Sequence, residues 1–235
     1  MKLAIIYGNM RHGSTWRCAE LLKQALKAYG RTETKEFFLP KDMPNFCAGC
    51  FSCIYNGEGT CPHFASVSPI LEAMLEADVI VLTSPVYGFD VSGAMKTFLD
   101  HLCFQWMSHR PNPKMFDKIG VTICTAAGAG LSHTAKTMQN SLRYWGAKRI
   151  FSLNGRVAAK DWDGVPEKTK ANIEKRTKTM AKRIAKDVQN VKRFRAPLFR
   201  TVFFRMMAGM MKTNTWNMYD RKHWEDNGWI ERSAE

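Results

Sequence analysis

The chain has 235 residues, of which 45% are hydrophobic, and a formal net charge of +14. These values fit one domain of ordinary size with a short appendage. The first residues turn polar too soon for a secretory signal, and no apolar run approaches the roughly 18 residues that span a bilayer. We therefore expect a cytoplasmic protein, in which a cluster of cysteines serves metal or redox chemistry rather than disulfides.

The positive charge is concentrated in the last third of the chain, beyond Arg149. Such a basic segment can attract nucleic acid or anionic lipid. Nothing else in the sequence resembles a nucleic-acid module, so we interpret the basic run as the solvated face of a helix and expect no nucleic-acid partner.

Short apolar runs alternate with helical patterns five times along the chain. This alternation predicts an α/β fold with a flavodoxin-like, doubly wound, five-stranded parallel sheet of order 2-1-3-4-5. The predicted strands cover residues 2–7, 34–39, 78–83, 118–124 and 148–153. The predicted helices cover residues 14–29, 67–77, 92–106, 131–145 and 165–191.

The predicted domain covers residues 1–193, with a cysteine loop at 43–63 inserted after the second strand. Residues 194–235 form a predicted C-terminal helical extension with a Met-rich apolar surface. Such surfaces suit adaptable contacts, so we expect this arm to pack on a neighbouring element or a second subunit, which predicts a homodimer or higher oligomer. A membrane surface is the alternative that we do not favour.

Three loops at the carboxyl ends of the strands carry candidate ligand-binding residues. The first lies between a strand and a helix and offers the donors of a phosphate cradle, Asn9, Arg11, Gly13, Ser14 and Thr15. It lacks the dinucleotide and P-loop glycine patterns, so a single phosphomonoester fits best. The second and third loops suit a flat heterocyclic ring. Their candidate residues are Pro85, Val86, Tyr87, Gly88, Phe89, Thr125, Ala126, Ala127, Gly128 and Gly130.

Four cysteines lie close together, at Cys47, Cys50, Cys53 and Cys61. Two C-x-x-C steps with a fourth cysteine nearby predict thiolates that converge on one metal centre. Three uses remain open, which are an iron–sulfur cluster, zinc, and free or redox-active thiols. The other three cysteines, Cys18, Cys103 and Cys124, are interpreted as core residues.

Three further polar residues lie outside these loops. His109 and Arg110 lie in a proline-rich segment and are interpreted as surface residues, with contact to a nicotinamide phosphate or a substrate as the alternative. His63 is interpreted as a solvated side chain, with hydrogen bonding to a cluster as the alternative.

The phosphate loop, the run Ser84–Gly88 and the helix at residues 94–100 resemble the NADPH-dependent FMN reductases. With the cysteine run, the resemblance is to the iron–sulfur flavoprotein branch of that group. It covers residues 1–153, and residues 219–229 are similar to the tails of some bacterial members. The family usually has serine at the position of Asn9 and an Asn-Thr pair at Ser14 and Thr15; both replacements keep hydrogen-bond donors.

The resemblance implies FMN as cofactor and NAD(P)H as co-substrate. FMN phosphate would lie on Asn9, Arg11, Ser14 and Thr15, and its ring against residues 85–89 and the backbone of 125–130. A [4Fe–4S] cluster would be held by the four cysteines, and the electron acceptor is unknown. No catalytic side chain is expected, because the flavin carries the chemistry. The alternatives are an electron carrier without direct NAD(P)H turnover, and a metal-stabilised binding module with a tail that docks on polyanions or membranes.

Overall fold

The computed structural model describes residues 1–232 and contains one parallel sheet of five strands in the order β2-β1-β3-β4-β5. This order and its helical layers confirm the predicted fold class. The three interior strands β1, β3 and β4 are buried at almost every position, whereas the edge strands β2 and β5 are partly exposed. The strands are β1 Lys2–Tyr7, β2 Glu33–Phe38, β3 Val79–Pro85, β4 Ile119–Ala126 and β5 Arg149–Arg156.

Helices cover both faces of the sheet. Helices α1 and α6 contribute to the hydrophobic core on one face, and α3, α4 and α5 to the core on the other. The remaining helices belong to the cysteine loop and to the C-terminal arm. The bounds are α1 Ser14–Lys27, α2 Ser52–Tyr55, α3 Phe64–Glu76, α4 Gly93–His101, α5 Leu131–Tyr144, α6 Glu167–Asn190, α7 Leu198–Lys212 and α8 Met218–Asp226.

Three predicted boundaries were wrong by more than two residues. Helix α3 begins at Phe64 rather than at residue 67, because the Val67 N–H already donates to the His63 carbonyl oxygen. Helix α4 ends at His101 rather than at residue 106, because the chain tightens into a 3₁₀ turn at Cys103–Gln105. Strand β5 continues to Arg156 instead of ending at residue 153, because its ladder with β4 extends to the pair Ala126 and Arg156.

The interpretation of the basic segment as a solvated helix face agrees with the structure. Helix α6 buries an apolar face that includes Ile173, Met180 and Ile184, while most of its lysines and arginines are exposed. Within residues 1–232, no helix combines the length and the apolar character needed to cross a membrane.

The C-terminal arm, residues 194–232, packs on the domain through its own small core. Met207, Met211 and Trp224 are buried there, and Phe204 makes an edge contact with Phe116 of the domain. The opposite face of α7 exposes an apolar stripe of residues four positions apart. This stripe consists of Leu198, Val202, Met206 and Met210.

Candidate functional site

The three candidate loops meet at the carboxyl edge of the sheet and enclose a cavity of about 250 Å³. This is the place where open α/β sheets bind their ligands. Eleven of the fifteen predicted cofactor residues line it. They are Asn9, Arg11, Gly13, Ser14, Thr15, Pro85, Val86, Tyr87, Thr125, Ala126 and Ala127.

Gly8 sets the path of the first loop. Its N–H donates to the Thr83 carbonyl oxygen at 2.7 Å, and a Cβ placed on Gly8 would lie only 2.7 Å from that same oxygen. The Ser92 hydroxyl donates to the Gly8 carbonyl and accepts from the Met95 N–H at 3.1 Å, so it also caps the start of α4. These hydrogen bonds hold the first loop against the end of β3. The approach of the two backbones is so close that it leaves no room for a side chain at residue 8.

Positive charge and free N–H groups converge on the floor of the cavity. The residue before α1 is Gly13, which has no side chain to accept the N–H groups of the first helical turn. The Arg11 guanidinium and Lys160 also line the cavity, and Arg11 donates to the Lys160 carbonyl oxygen. A helix start with two cationic residues nearby is an arrangement that can bind an anion.

The second loop makes a tight reverse turn at the mouth of the cavity. Tyr87 and Asp90 exchange backbone hydrogen bonds of 2.9 and 3.0 Å, and both central residues, Gly88 and Phe89, have positive φ angles of 56° and 66°. A left-handed phenylalanine is unusual, and Phe89 is 69% exposed. The turn therefore presents two aromatic rings, Tyr87 and Phe89, to solvent beside the cavity.

The third loop lies directly against the second. The Val86 N–H donates to the Thr125 carbonyl oxygen at 2.9 Å, and the hydroxyls of Thr15 and Thr125 are 2.6 Å apart. Gly130 has φ of +91°, and a Cβ there would lie 2.6 Å from the Val86 side chain. Gly130 is thus required for the close approach of the two loops, although it does not line the cavity.

The remaining predicted residues, Gly88, Phe89, Gly128 and Gly130, do not line the cavity. Three residues that the sequence did not single out do line it, namely Val157, Ala159 and Lys160. They follow β5, whose end was predicted three residues too early. Loops that follow the strands of a parallel sheet share one edge. A correctly predicted end of β5 would therefore have placed these three residues in the predicted site.

A larger open groove of about 870 Å³ runs between β5 and α6. It is lined by exposed basic side chains such as Arg149, Lys175 and Arg183, and it includes none of the residues from the three loops. We take the smaller cavity as the candidate cofactor site, because it lies at the carboxyl edge of the sheet and is lined by all three predicted loops.

The cysteine loop curls at the surface, and no three of its four thiols lie within 4.8 Å of one another in the part of the chain that the structure describes. Gly49 and Phe51 both adopt left-handed backbone, with φ of 62° and 58°, which turns the chain between successive cysteines. The pKa of the Cys53 thiol is raised to about 11, chiefly by burial and in addition by the charges of Cys61, Cys47 and Cys50, against the opposing effect of Arg110. Cys53 is thus within electrostatic range of the other three cysteines.

Arg110 is buried, at 5% exposure, so its interpretation as a surface residue was wrong. Its guanidinium donates to the carbonyl oxygens of Cys53 and Ile54, the latter at 3.0 Å, and pairs with the buried carboxylate of Asp220 on α8. The other oxygen of Asp220 accepts from His109 Nδ1 at 2.7 Å. These contacts place both residues behind the cysteine loop, where the C-terminal arm supports it.

Further contacts tie the arm to the same loop. The Asn217 side chain donates to the Ile54 carbonyl oxygen at 3.1 Å, and a Cβ on Gly57 would lie 2.4 Å from the Tyr219 hydroxyl. The Tyr219 ring faces the Arg110 guanidinium at 4.9 Å. The arm therefore fixes the backbone of α2, which carries Cys53.

His63 is half-buried rather than solvated, and its Nδ1 lies 3.0 Å from Nε2 of the buried His101. Both rings lie close to the Cys61 thiol. Among the other cysteines, Cys18 and Cys124 are buried as predicted, whereas Cys103 is only half-buried.

A family model of NADPH-dependent FMN reductases matches residues 1–160. The chain belongs to this family. Its domain is 31% identical over 150 residues to an iron-sulfur flavoprotein of Archaeoglobus fulgidus, covering 62% of this chain and 64% of that protein. It is 39% identical over 103 residues to an iron-sulfur flavoprotein of Methanocaldococcus jannaschii, covering 43% of this chain and 51% of that protein. The chain thus spans less than two thirds of the length of these curated relatives.

Solved structures share the fold of this family member at low sequence identity. An FMN-dependent NADH-azoreductase from Bacillus anthracis, in complex with FMN, gives a TM-score of 0.61 at 13% identity, covering 79% of this chain and all (100%) of that one. A flavone reductase gives a TM-score of 0.60 at 16% identity, covering 84% of this chain and 66% of that one. These similarities support the flavodoxin-like architecture of the domain.

Proposed function

We propose that the protein is an FMN-dependent NAD(P)H oxidoreductase that passes electrons to an acceptor of unknown identity. The observation that carries this proposal is the cavity at the carboxyl edge of the sheet, where Arg11, Lys160 and the start of α1 meet below an aromatic turn. Family membership over residues 1–160 supports the same cofactor and co-substrate.

The residues of the chain would bind and orient the cofactor rather than react themselves. Arg11, Ser14 and Thr15 would donate to the phosphate oxygens, and the backbone of residues 125–127 would face the polar edge of the ring. The cavity of about 250 Å³ is smaller than most ligand pockets of roughly 300–1,000 Å³, so part of the ring would lie outside it, against Tyr87 and Phe89. When bound, FMN would supply the ring that accepts hydride from NAD(P)H and transfers the electrons onward.

Removal of Arg11 tests the phosphate assignment. We expect Arg11→Ala to lose a charge-assisted hydrogen bond of about 1.5–3 kcal/mol, which is a roughly 10- to 150-fold weaker affinity for FMN. The measurement is a titration of apo-protein with FMN, followed by flavin fluorescence, together with the rate of NAD(P)H oxidation.

The matched control is Arg31→Ala, which removes the same charge from a side chain that is 90% exposed before β2. It should bind FMN as the wild type does. Equal affinities of the two variants would overturn the phosphate assignment, and wild-type protein that binds no flavin would overturn the proposed function.

We also propose that Cys47, Cys50, Cys53 and Cys61 hold a [4Fe–4S] cluster. The proposal is supported by the proximity of Cys61, Cys47 and Cys50 to Cys53, on whose thiol their charges act, and by the curled backbone that carries the four residues. When bound, such a cluster would supply a one-electron centre beside the flavin domain. Iron and sulfide analysis after anaerobic purification tests this proposal. Purified protein that contains flavin but no iron would overturn the proposed cluster and leave the proposed oxidoreductase standing.

An electron carrier without direct NAD(P)H turnover is the second candidate function, favoured by the same four thiols. Rapid mixing of the oxidised protein with NADPH or NADH separates the two. Bleaching of the flavin absorbance within the turnover time indicates the oxidoreductase, whereas an unchanged spectrum indicates the carrier.

We also propose that the protein works in the cytoplasm, where its free cysteines would stay reduced.

We propose that a second copy of the chain covers the apolar stripe on α7. Met206 is 52% exposed in the middle of this stripe. We expect Met206→Glu to shift the protein towards monomer in sedimentation equilibrium. Lys212→Ala changes the net charge equally outside the stripe and should keep the wild-type mass, so equal masses of the two variants would contradict the dimer.

A further inference from the structure

Three metal-ligating side chains meet beside the cysteine loop. Cys61 and His63 lie just before α3, and His101 is the last residue of α4. One ligand atom from each lies within 4.8 Å of the other two. His101 is 4% exposed, so its ring is held in place by the surrounding core.

The hydrogen bonds of His101 direct one ring nitrogen towards the other two residues. Its Nδ1 lies 2.8 Å from the Thr97 carbonyl oxygen, one helical turn earlier, and must carry the proton that this bond requires. The lone pair of a neutral ring is therefore on Nε2, which faces His63 Nδ1 at 3.0 Å. Metal-ligating histidines typically donate their other N–H to a carbonyl group in this way.

The spacing of the three atoms suits one ion. Zinc binds imidazole nitrogen at about 2.0–2.1 Å and thiolate sulfur at about 2.3 Å, so at the tetrahedral angle two of its ligand atoms lie roughly 3.3–3.6 Å apart. His63 Nδ1 and His101 Nε2, at 3.0 Å, are already close to this separation. The Cys61 sulfur lies within 4.8 Å of both nitrogens and reaches it with a shift of about 1 Å. Because Cys61 and His63 are only half-buried, their side chains have room for such shifts.

We propose that Cys61, His63 and His101 bind one zinc ion, with the fourth tetrahedral position left to water. A thiolate and two imidazoles are donors that zinc prefers. On binding, the Cys61 thiol releases its proton to solvent, and His63 holds its proton on Nε2 instead of Nδ1, so that both ligand atoms present lone pairs.

Zinc bound here would exclude the [4Fe–4S] cluster, because Cys61 can serve only one centre at a time. This consequence rests on the proposed cluster, whereas the zinc site itself does not. The described residues that line the flavin cavity include none of the three ligands, so the zinc-loaded protein would keep its flavin.

The test uses the full chain after removal of metals with a chelator. Zn²⁺ is titrated against a chromophoric competitor, and Co²⁺ serves as a spectroscopic probe for thiolate and imidazole ligands. We expect one equivalent to bind. Because outer-shell substitutions already cost 10- to 100-fold in metal affinity, Cys61→Ser and His63→Ala should weaken Zn²⁺ by more than about 100-fold. His12→Ala, which removes an exposed histidine elsewhere, should leave it unchanged.

Reconstitution with iron and sulfide under anaerobic conditions separates this site from the cluster. His63→Ala should lose zinc and keep the cluster, Cys50→Ser should lose the cluster and keep zinc, and Cys61→Ser should lose both. Zinc affinity unchanged in His63→Ala overturns the site. Zinc lost equally in Cys50→Ser also overturns it, because the metal would then belong to the cysteine run. The test uses variants of His63, because a substitution at the buried His101 would also disturb the packing of the core.

Discussion

The flavin loops and the cysteine loop are held in place in different ways. At the flavin edge, backbone groups of adjacent strand ends bond directly to one another, as in the pairs Gly8 with Thr83 and Val86 with Thr125. The cysteine loop depends on side chains from distant parts of the chain, chiefly Arg110 and Asn217, which bond to its carbonyl oxygens. One site is built by the sheet and the other by the arm, so either site should be lost by mutation while the other stays intact.

The largest effect is expected from breaking the ion pair between Arg110 and Asp220. Removing one partner of a buried pair costs about 3–5 kcal/mol, because the other charge remains buried without compensation. Asp220→Ala should therefore lower the free energy of unfolding and release the carbonyls that position Cys53. We expect loss of iron from the reconstituted protein with FMN affinity retained, measured by iron analysis and flavin titration.

The control for this variant is Asp226→Ala on the same helix. Asp226 pairs with Lys222 at 3.5 Å in an exposed position, where such pairs contribute at most about 1 kcal/mol. It should keep both cofactors. If Asp220→Ala lost FMN and iron together, the independence of the two regions would be wrong.

A smaller effect is expected from Gly130→Ala, which disturbs only the flavin edge. The left-handed backbone there costs a non-glycine residue about 1–2 kcal/mol, and the new Cβ would press on Val86. We expect FMN affinity to fall about tenfold or more, as 1.4 kcal/mol corresponds to tenfold. Gly128→Ala adds a Cβ with no atom within 4 Å and should bind FMN normally. Iron content should be unchanged in both, and a loss of iron in Gly130→Ala would contradict the comparison.

The smallest effect is expected on the pH dependence of stability, through His223 in the C-terminal arm. Burial lowers the pKa of His223 below its ordinary value of 6.5; Arg110 acts in the same direction, while the hydrogen bond to Pro111, Glu58 and Asp220 oppose it. The folded state therefore favours the neutral ring. Its contribution to stability is complete above pH 6.5 and is lost as the pH falls through the lowered folded pKa, because the unfolded chain takes up the proton first.

His223→Asn removes this titration. Urea unfolding at a series of pH values between 7 and 5 should show a shallower loss of stability in the variant than in the wild type. Identical slopes would show that His223 has no part in the pH dependence of arm docking.

The sequence predicted the flavin loops better than the surroundings of the cysteine loop, because only the latter depend on side chains from distant parts of the chain. The strand order and eleven cavity residues followed from apolar periodicity and loop composition, because a parallel sheet brings strand ends to one edge. The role of Arg110 could not be predicted, since its partner Asp220 is 110 residues away and no local pattern links them. His101 was missed for a similar reason, as it lies within an ordinary helix and gains its partners only in three dimensions.

Helix α4 spans the interval between the two regions. Its cap, Ser92, bonds to the first flavin loop, and its last residue, His101, lies beside Cys61, about 14 Å further along the helix axis. One inserted residue would rotate His101 by about 100° and one end would lose its partners. The length of α4 is therefore constrained from both ends.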